Sequence, residues 1–466
     1  MNKNFSSLMI VGVFVFIFAT TANAENFFAY LEGRQENPAV TTAATGYARV
    51  FLNETAGTIT YQVVYNNLGS TQTAGHIHTG ARGANGPVTI GFAVVGGTSG
   101  VINGTSAITA PQIATLRSQG MYVNVHTTNN PGGEIRGQLA AKRPIDFDGD
   151  GKNDYSVLRF PAAGATRPIN YWNKNSTTGT QISGEWGDAV TDFPCPGDFD
   201  GDGIDDLSFY RDSATLGGQS EFWVFMSATS TTQYFAWGLG QPSTTNFNPS
   251  DLPLCRDYDG DGKTDVAVAR RGATTGDPLT WYIRQSSTGT ARVVNWGVTG
   301  AANNAFYDAP IPADYDGDGK VDLAIYRFGS GPDNFYIVLK SSDGGTIYQP
   351  WGNFTTDYIL PGDYDGDGKA DYAVGRTGAT ATSPMVWWIL QSSNGGVVTR
   401  QFGITSDLPA QGDYDGDGRT DIALYRPGAA AGVAGNFWVF NSFDSTIQVT
   451  QWGINPNFAV NTFDIR

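Results

Sequence analysis

A nine-residue pattern that occurs six times limits the possible folds of this chain more than any other feature. Every copy has Asp at positions 1, 3, 5 and 9 and Gly at positions 4 and 6, and the copies begin at Asp146, Asp198, Asp257, Asp314, Asp363 and Asp413. Carboxylates at alternate positions around a glycine turn wrap the chain around a hard cation, and Ca²⁺ accepts roughly six to eight oxygen ligands. The pattern therefore predicts six calcium-binding loops.

The four aspartates of each loop are the expected metal ligands, and the backbone carbonyl of position 7 would add another. Ca²⁺ is favoured over Mg²⁺ because the loop offers many flexible oxygens. The predicted ligands are Asp146, Asp148, Asp150 and Asp154; Asp198, Asp200, Asp202 and Asp206; Asp257, Asp259, Asp261 and Asp265; Asp314, Asp316, Asp318 and Asp322; Asp363, Asp365, Asp367 and Asp371; and Asp413, Asp415, Asp417 and Asp421.

The residues after each loop distinguish it from an EF-hand. An EF-hand has a bidentate Glu at position 12, whereas this chain has Val157, Phe209, Val268, Ile325, Val374 and Leu424 there. Small and apolar residues alternate after each loop, as in Asp322-Leu323-Ala324-Ile325. This alternation is typical of a strand, so each loop is expected to join two strands.

The spacing of the loops predicts a β-propeller. Successive loops begin 52, 59, 57, 49 and 50 residues apart, which suits a blade of four strands. An Arg, an aromatic pair and an aromatic-Gly pair recur in phase with each loop, and six complete sets favour six blades. A partial seventh copy, with Asp464 twelve residues after Trp452, supplies a spare strand for closing the ring. Seven blades remain the alternative if the first domain lends strands.

The recurring Arg and aromatic residues have two interpretations. The Arg residues can pair with an Asp six residues before a loop, and the aromatic residues can fill the space between blades. Alternatively, they form a ring that binds sugars or acidic ligands. The Arg residues are Arg159, Arg211, Arg270, Arg327, Arg376 and Arg426, and the candidate partners are Asp192, Asp251, Asp308, Asp357 and Asp407.

Residues 25–139 are predicted to form a separate β-domain of sandwich or barrel type, followed by a linker at 140–144 and the propeller at 145–466. One helix is expected, because Thr109-Ala110-Pro111-Gln112 has the form of a capping box. All three histidines of the chain, His76, His78 and His126, belong to this domain. On strands they would face away from the apolar side, where they are either hydrogen-bonded polar residues or ligands of Zn²⁺ or Cu²⁺.

Residues 1–24 are predicted to be a secretory signal. Lys3 precedes an apolar run from Leu8 to Ala19, and Ala22-Asn23-Ala24 is a small-x-small cleavage site. The alternative is an uncleaved membrane anchor. No later segment is apolar enough to span a membrane, so the mature chain is expected to be secreted, extracellular or at the cell surface, or in a periplasm. The two cysteines, Cys195 and Cys255, are candidates for a disulfide in such a compartment.

The charge balance limits the possible partners. The 466 residues contain 28 basic and 44 acidic side chains, for a formal charge of −16, and twenty-four of the acids are the predicted ligands of the loops. Nucleic acid is not expected as a partner, because it requires basic patches.

We find no Ser/His/Asp or Cys/His constellation in the sequence, so the protein is predicted not to be an enzyme. A metal-dependent activity within 25–139 is the alternative.

Two families resemble parts of this sequence. The segments Gly75-His76-Ile77-His78-Thr79-Gly80, Asn85-Gly86-Pro87-Val88, Tyr122-Val123-Asn124-Val125-His126-Thr127 and Gly133-Glu134-Ile135-Arg136-Gly137-Gln138-Leu139 resemble the CHRD domain, named from chordin. That resemblance implies an extracellular β-domain without a defined activity. The Asp-x-Asp-Gly-Asp-Gly-x-x-Asp loops resemble the FG-GAP/VCBS repeats of integrin α-subunits, secreted lectins and bacterial surface proteins.

The second resemblance implies that about six Ca²⁺ ions stabilise the blades and that ligands bind elsewhere on the ring. We therefore expect a secreted or cell-surface calcium-binding protein for adhesion or recognition of an extracellular protein or glycan. A carbohydrate-binding propeller lectin is the first alternative. A metalloprotein or metalloenzyme that uses the three histidines is the second.

Overall fold

The computed structural model describes residues 24–141, 145–159, 168–188, 191–215, 217–240, 251–300, 308–328, 334–353, 357–454 and 457–459. The predicted signal segment, up to residue 23, lies outside these ranges. The described chain is almost entirely β, with a barrel-like sheet followed by a six-bladed propeller. None of its helices is long and apolar enough to cross a membrane.

The first domain is one sheet curved around an apolar core. Its order is β5-β4-β7-β8-β1-β2-β3-β6, and β9 adds to β1. The short β9 lies in the segment expected to be a linker, so the sheet extends two residues further than the sequence predicted. The elements are β1 (Ala24–Glu32), β2 (Thr45–Asn53), β3 (Thr58–Asn66), β4 (Gln72–Thr79), β5 (Val88–Gly91), β6 (Gly100–Ala107), α1 (Ala110–Arg117), β7 (Met121–Thr127), β8 (Ile135–Gln138) and β9 (Ala140–Ala141), with a 3₁₀ turn at Gly33–Gln35.

The helix begins where the capping box predicted it. The backbone N–H of Thr109 donates to Oε1 of Gln112 at 2.8 Å, and the reciprocal bond of the box is also present. Ile113 and Leu116 then turn the same face into the core that contains Ile77, Val123 and Val125. The helix therefore closes one end of the barrel-like sheet.

The propeller has four strands in each blade, as the repeat spacing predicted. Blade one contains β10 (Tyr155–Arg159), β11 (Asn170–Lys174) and β12 (Gln181–Glu185); blade two contains β13 (Asp192–Pro194), β14 (Leu207–Arg211), β15 (Gln219–Met226) and β16 (Thr231–Leu239); blade three contains β17 (Asp251–Pro253), β18 (Val266–Arg270), β19 (Pro278–Arg284) and β20 (Ala291–Val298); blade four contains β21 (Asp308–Pro310), β22 (Leu323–Arg327), β23 (Phe335–Leu339) and β24 (Thr346–Pro350); blade five contains β25 (Asp357–Ile359), β26 (Tyr372–Arg376), β27 (Pro384–Leu390) and β28 (Val397–Ile404); and blade six contains β29 (Leu408–Pro409), β30 (Ile422–Arg426), β31 (Ala434–Phe440) and β32 (Ile447–Ile454).

The spare C-terminal strand closes the ring. β33 (Asn457–Ala459) supplies the inner strand of blade one by pairing with β10, so that Ala459 lies opposite Val157. The first domain keeps its strands in its own sheet, and the ring has six blades rather than seven. Asp464 lies outside the described residues.

Neighbouring blades are joined by tryptophans of the aromatic-Gly pairs. Nε1 of Trp237 donates to the carbonyl of Tyr282 at 3.1 Å, and Nε1 of Trp452 donates to the carbonyl of Trp172 at 3.0 Å. The small residues Ala267 and Ala373 are fully buried, which allows this close approach. These aromatic side chains therefore pack between blades.

The repeated Arg residues form ion pairs with the aspartates that the sequence suggested. Both nitrogens of the Arg270 fork contact the Asp251 carboxylate at 2.6 Å, and the Asp is fully buried. Opposite Arg159 the closing strand has Asn457 instead of Asp. The other pairs are Arg211–Asp192, Arg327–Asp308, Arg376–Asp357 and Arg426–Asp407.

A disulfide also joins blades two and three. Cys195 and Cys255 follow the inner strands of those blades, and their Cα atoms are 5.8 Å apart. Cys195 lies three residues before its loop, whereas Cys255 lies two residues before its loop. This difference does not prevent the bond, because both cysteines come after the end of the regular strand. The cross-link encloses a sequence separation of 60 residues.

Removal of the closing strand tests how the ring is held. A chain that ends at Pro456 leaves the inner edge of β10 unpaired, and we expect its melting temperature to fall by about 5 °C or more, as for a loss of a few kcal/mol. Differential scanning calorimetry measures this change. The matched control ends at Ala459 and keeps β33, so it should melt like the full chain. Equal melting of both truncated chains would contradict closure by β33.

Candidate metal centres

Each Asp loop folds around the carboxylate of its first residue. In the third loop, Oδ1 of Asp257 accepts the N–H of Gly260 at 2.6 Å and Oδ2 accepts the N–H of Gly262 at 2.8 Å. Both glycines have positive φ, +77° and +80°, a conformation that side chains disfavour. The same two bonds occur in the other five loops, which explains why Gly is invariant at positions 4 and 6.

The position-9 carboxylate connects the loop to a second turn of the same blade. Oδ2 of Asp265 accepts the N–H of Tyr258 at 2.9 Å, and Oδ1 accepts the N–H of Ser286 at 2.7 Å. The Ser286 hydroxyl also donates to Asp261, at position 5, at 2.8 Å. The equivalent serines of the other loops are Ser176, Ser227, Ser341, Ser392 and Ser442.

Sequence reasoning missed these serines. They lie 19–22 residues after position 9 of their loops, and this recurrence was the available signal. Each begins the turn between the two outer strands of its blade. The Asp loop, which joins the first two strands of a blade, is therefore held by the turn that joins the last two strands.

The structure brings the carboxylates of positions 1, 3 and 9 together. In the first four loops, one oxygen from each lies within 4.8 Å of the others. The position-5 carboxylate instead accepts the N–H of position 7, as Asp261 does from Lys263 at 2.9 Å. At position 3, Oδ1 is buried and has no hydrogen-bond partner among the described residues in Asp148, Asp259, Asp316 and Asp365. These unpaired oxygens suit a hard cation, so the donor set fits Ca²⁺.

Crowding of carboxylates has a strong electrostatic effect. Burial, reinforced by the neighbouring aspartates, raises the pKa of Asp154 to about 10, of Asp206 to about 8 and of Asp265 to about 7. Burial raises the pKa of Asp314 to about 8 as well. Ionisation of the carboxyl groups in these four loops is thus unfavourable unless a cation compensates the negative charge.

The six loops are linked to one another around the ring. The backbone N–H of position 8 donates to the position-1 carbonyl of the preceding loop, at distances of 2.7–2.9 Å. Asn153 donates to Asp413, so the circle is closed between the first and last loops. The other bonds run from Asp205 to Asp146, Thr264 to Asp198, Val321 to Asp257, Ala370 to Asp314 and Thr420 to Asp363.

The first domain lies on the loop end of the propeller. Arg49 donates to the carbonyls of Gly149, Asp148 and Asp202 at 3.0, 3.3 and 3.4 Å. Gln119 donates to Oδ2 of Asp363 at 2.5 Å, and Asn26 donates to the carbonyl of Gly262 at 2.8 Å.

Two further contacts extend this interface. Arg34 donates to the carbonyl of Asp415 at 2.9 Å, and the Lys152 ammonium lies 3.4 Å from the centroid of the Tyr30 ring. A cavity of about 320 Å³ lies between the two domains at the centre of the ring. The loop residues therefore contact both neighbouring blades and the first domain.

The three histidines meet on the outer face of the first sheet. His76 and His78 are on β4, and His126 is on the adjacent strand β7. Val123 and Val125 face the core on the other side, as the alternation predicted. Nδ1 of His76 lies 3.0 Å from Nε2 of His126. Burial lowers the pKa of all three rings, that of His126 to about 4.

Comparison with known proteins identifies both parts of the chain. Residues 27–139 match the CHRD domain, and residues 257–325 match the FG-GAP-like repeat. No curated protein matches the chain.

Solved structures give only distant likenesses. A protein provisionally named 6-phosphogluconolactonase from Bacteroides uniformis is 12% identical, with a TM-score of 0.35, over 65% of this chain and 84% of that one. A protein of the same provisional name from Bacteroides fragilis is 10% identical, with a TM-score of 0.35, over 67% and 96%. The acylaminoacyl peptidase of Pyrococcus horikoshii is 9% identical, with a TM-score of 0.30, over 88% and 57%.

Likenesses this distant assign neither an activity nor a ligand. The family matches, by contrast, agree with the motifs in both identity and order. This chain therefore carries a CHRD domain followed by a propeller with FG-GAP-like repeat sequence.

Proposed function

We propose that this protein is a secreted or cell-surface recognition protein, without catalytic activity, whose propeller is stabilised by Ca²⁺ and binds an extracellular protein or glycan in adhesion. An FG-GAP-like repeat within a propeller fits a ligand-binding propeller. The observation that carries the calcium assignment is the convergence of buried carboxylates from positions 1, 3 and 9 of a loop. A divalent cation would offset their mutual repulsion.

We assign the ion a structural role because of the hydrogen bonds that its ligands make. The position-1 residue holds the loop turn through its carboxylate and the next blade through its carbonyl. The position-9 carboxylate holds the serine turn of its own blade. A cation that offsets repulsion between these two carboxylates would thus stabilise a blade and its neighbour together.

The end of the propeller opposite the loops is the proposed recognition surface, because the first domain lies on the loop end. The second strand of each blade runs from the loop to its Arg over five residues, about 13 Å. The Arg side chains that pair with aspartates there are 27–38% exposed. Arg211, Arg376 and Arg426 also lie within 5.1–5.4 Å of the Trp223, Trp388 and Trp438 rings.

A carbohydrate-binding propeller is the second candidate. Tyr234 and Tyr348 project from the outer strands β16 and β24, with 65% and 55% of their surfaces exposed, and exposed aromatic rings can stack on sugars. A glycan array tests this candidate. Binding that the double variant Tyr234→Ala/Tyr348→Ala loses would favour it, and an array without binding would count against it.

One substitution tests the calcium assignment directly. Asp365→Ala removes a position-3 ligand whose Oδ1 is otherwise unpaired, and we expect calorimetry to count one Ca²⁺ fewer than in the unaltered chain, which should bind about six. Asp343→Ala is the matched control, because Asp343 is an exposed acid outside the loops that pairs with Lys340. Full stoichiometry in the Asp365 variant would contradict the assignment.

A second substitution tests the seating of the first domain on the loops. Arg49→Ala removes three hydrogen bonds to loop carbonyls, worth together about 2 kcal/mol. We expect trypsin to cleave after Lys152, which lies in this interface against Tyr30, up to roughly 30-fold faster, because the separated state becomes more populated. Mass spectrometry identifies the fragment pair.

Gln62→Ala is the matched control for this substitution. Gln62 lies opposite Arg49 on the neighbouring strand, and its side chain donates to Asn103 of the first domain. Its cleavage rate should therefore stay at that of the unaltered chain. Equal rates in the Arg49 and Gln62 variants would show that the Arg49 contacts do not hold the domains together.

A further inference from the structure

We propose that His76, His78 and His126 form a binding site for one divalent transition-metal ion, zinc or copper, on the outer face of the first domain. This site is separate from the Asp loops and different in chemistry. All of its ligands are imidazoles, which suit zinc and copper, whereas the loops offer only oxygen.

The pairing of β4 and β7 brings the three rings together. His126 lies opposite Ala74 and His76 lies opposite Asn124, so the histidines occupy neighbouring positions on one face. One nitrogen of each ring lies within 4.8 Å of the others. Tetrahedral ligands about 2.05 Å from zinc are about 3.3 Å apart, close to the 3.0 Å between His76 Nδ1 and His126 Nε2. A small movement of the rings would therefore complete the site.

Two of the rings are already in the tautomer that a metal ion requires. Nδ1 of His78 lies 3.0 Å from the carbonyl of Gly86, and Nδ1 of His126 lies 3.0 Å from the carbonyl of Pro131. A carbonyl oxygen only accepts hydrogen bonds, so Nδ1 carries the proton in both rings and Nε2 presents its lone pair. A backbone carbonyl that fixes the ring in this way is the usual support of a metal-binding histidine.

The Nε2 atom of His78 supplies a second observation that points to a metal ligand at this position. His78 is 8% exposed, and its Nε2 has no hydrogen-bond partner among the described residues. Leaving a buried acceptor unpaired is unfavourable. The hydrogen bond between His76 and His126 satisfies two of the rings but not this one. A metal ion bound by all three would satisfy it.

The surroundings hold the His78 ring in place. It stacks on Tyr122, with ring centroids 4.9 Å apart and planes 4° from parallel. The guanidinium of Arg136 also lies over the Tyr122 ring, 3.4 Å from its centroid. Three protein ligands leave a position open for water or a small anion, as in zinc sites that are not fully closed by protein.

Metal analysis of the full chain tests this site. The protein, saturated with Ca²⁺ so that the loops are filled, is mixed with Zn²⁺ or Cu²⁺ and freed of unbound ions by gel filtration. We expect one Zn²⁺ or Cu²⁺ per chain, with Cu²⁺ held more tightly. His78→Gln and His126→Gln should each weaken binding by about 100-fold or more, since loss of a supporting group alone costs about 10- to 100-fold.

Two controls separate this site from the loops and from misfolding. Asp365→Ala should keep the transition-metal ion while losing a Ca²⁺. The electron paramagnetic resonance spectrum of the unaltered chain with Cu²⁺ should show nitrogen hyperfine splitting from imidazole, a readout that needs no variant. No bound Zn²⁺ or Cu²⁺ at Ca²⁺ saturation, unchanged binding in the histidine variants, or a spectrum without nitrogen coupling would each overturn the proposal.

Discussion

Repulsion between buried carboxylates is the constraint on which the propeller depends. Positions 1, 3 and 9 of a loop place their carboxylates together, although burial and the like charges of neighbouring aspartates disfavour ionisation and raise the pKa of groups such as Asp206. The carboxylates of positions 1 and 9 also hold the turns through hydrogen bonds from backbone amides. With six such loops in one ring, we expect the stability of the propeller to depend on cations.

The loops also join parts of the molecule that are distant in sequence. Backbone hydrogen bonds link each loop to the preceding one and close the circle between Asn153 and Asp413. The first domain rests on the same residues through Arg49, Gln119 and Asn26. We therefore expect a change at one loop to affect an adjacent blade and the interface between the domains. This arrangement places the first domain at the loop end, opposite the end that we propose for recognition.

Local patterns in the sequence predicted the features that depend on a few neighbouring residues. The Asp spacing predicted the loops, Thr109 and Gln112 predicted the helix start, and strand alternation placed His76 and His78 on one face. The repeat spacing predicted six blades, because each period contains one complete supersecondary unit. The Arg–Asp pairs followed from the same regularity, since residues in phase occupy equivalent positions in every blade.

Features that depend on contacts between distant segments were not predictable in this way. The loop-to-loop hydrogen bonds are made by backbone atoms, which leave no trace in residue identity. The serine turns were missed because Ser286 and its equivalents lie outside the nine-residue pattern, although their spacing recurs. The seating of Arg49 on Gly149 joins residues of two domains, and its geometry depends on how the completed domains fit together. The Cys195–Cys255 bond likewise required the actual path of the chain after the inner strands.

Thermal unfolding of the unaltered chain in Ca²⁺ and in a chelator tests the central claim most directly. If carboxylate repulsion in the linked loops is offset by Ca²⁺, scanning calorimetry should show the propeller transition at a much lower temperature in chelator, with titration back to about six ions restoring it. An unchanged transition, together with no measurable Ca²⁺ binding, would contradict the account and would mean that the Asp loops are acidic turns that fold without a cation.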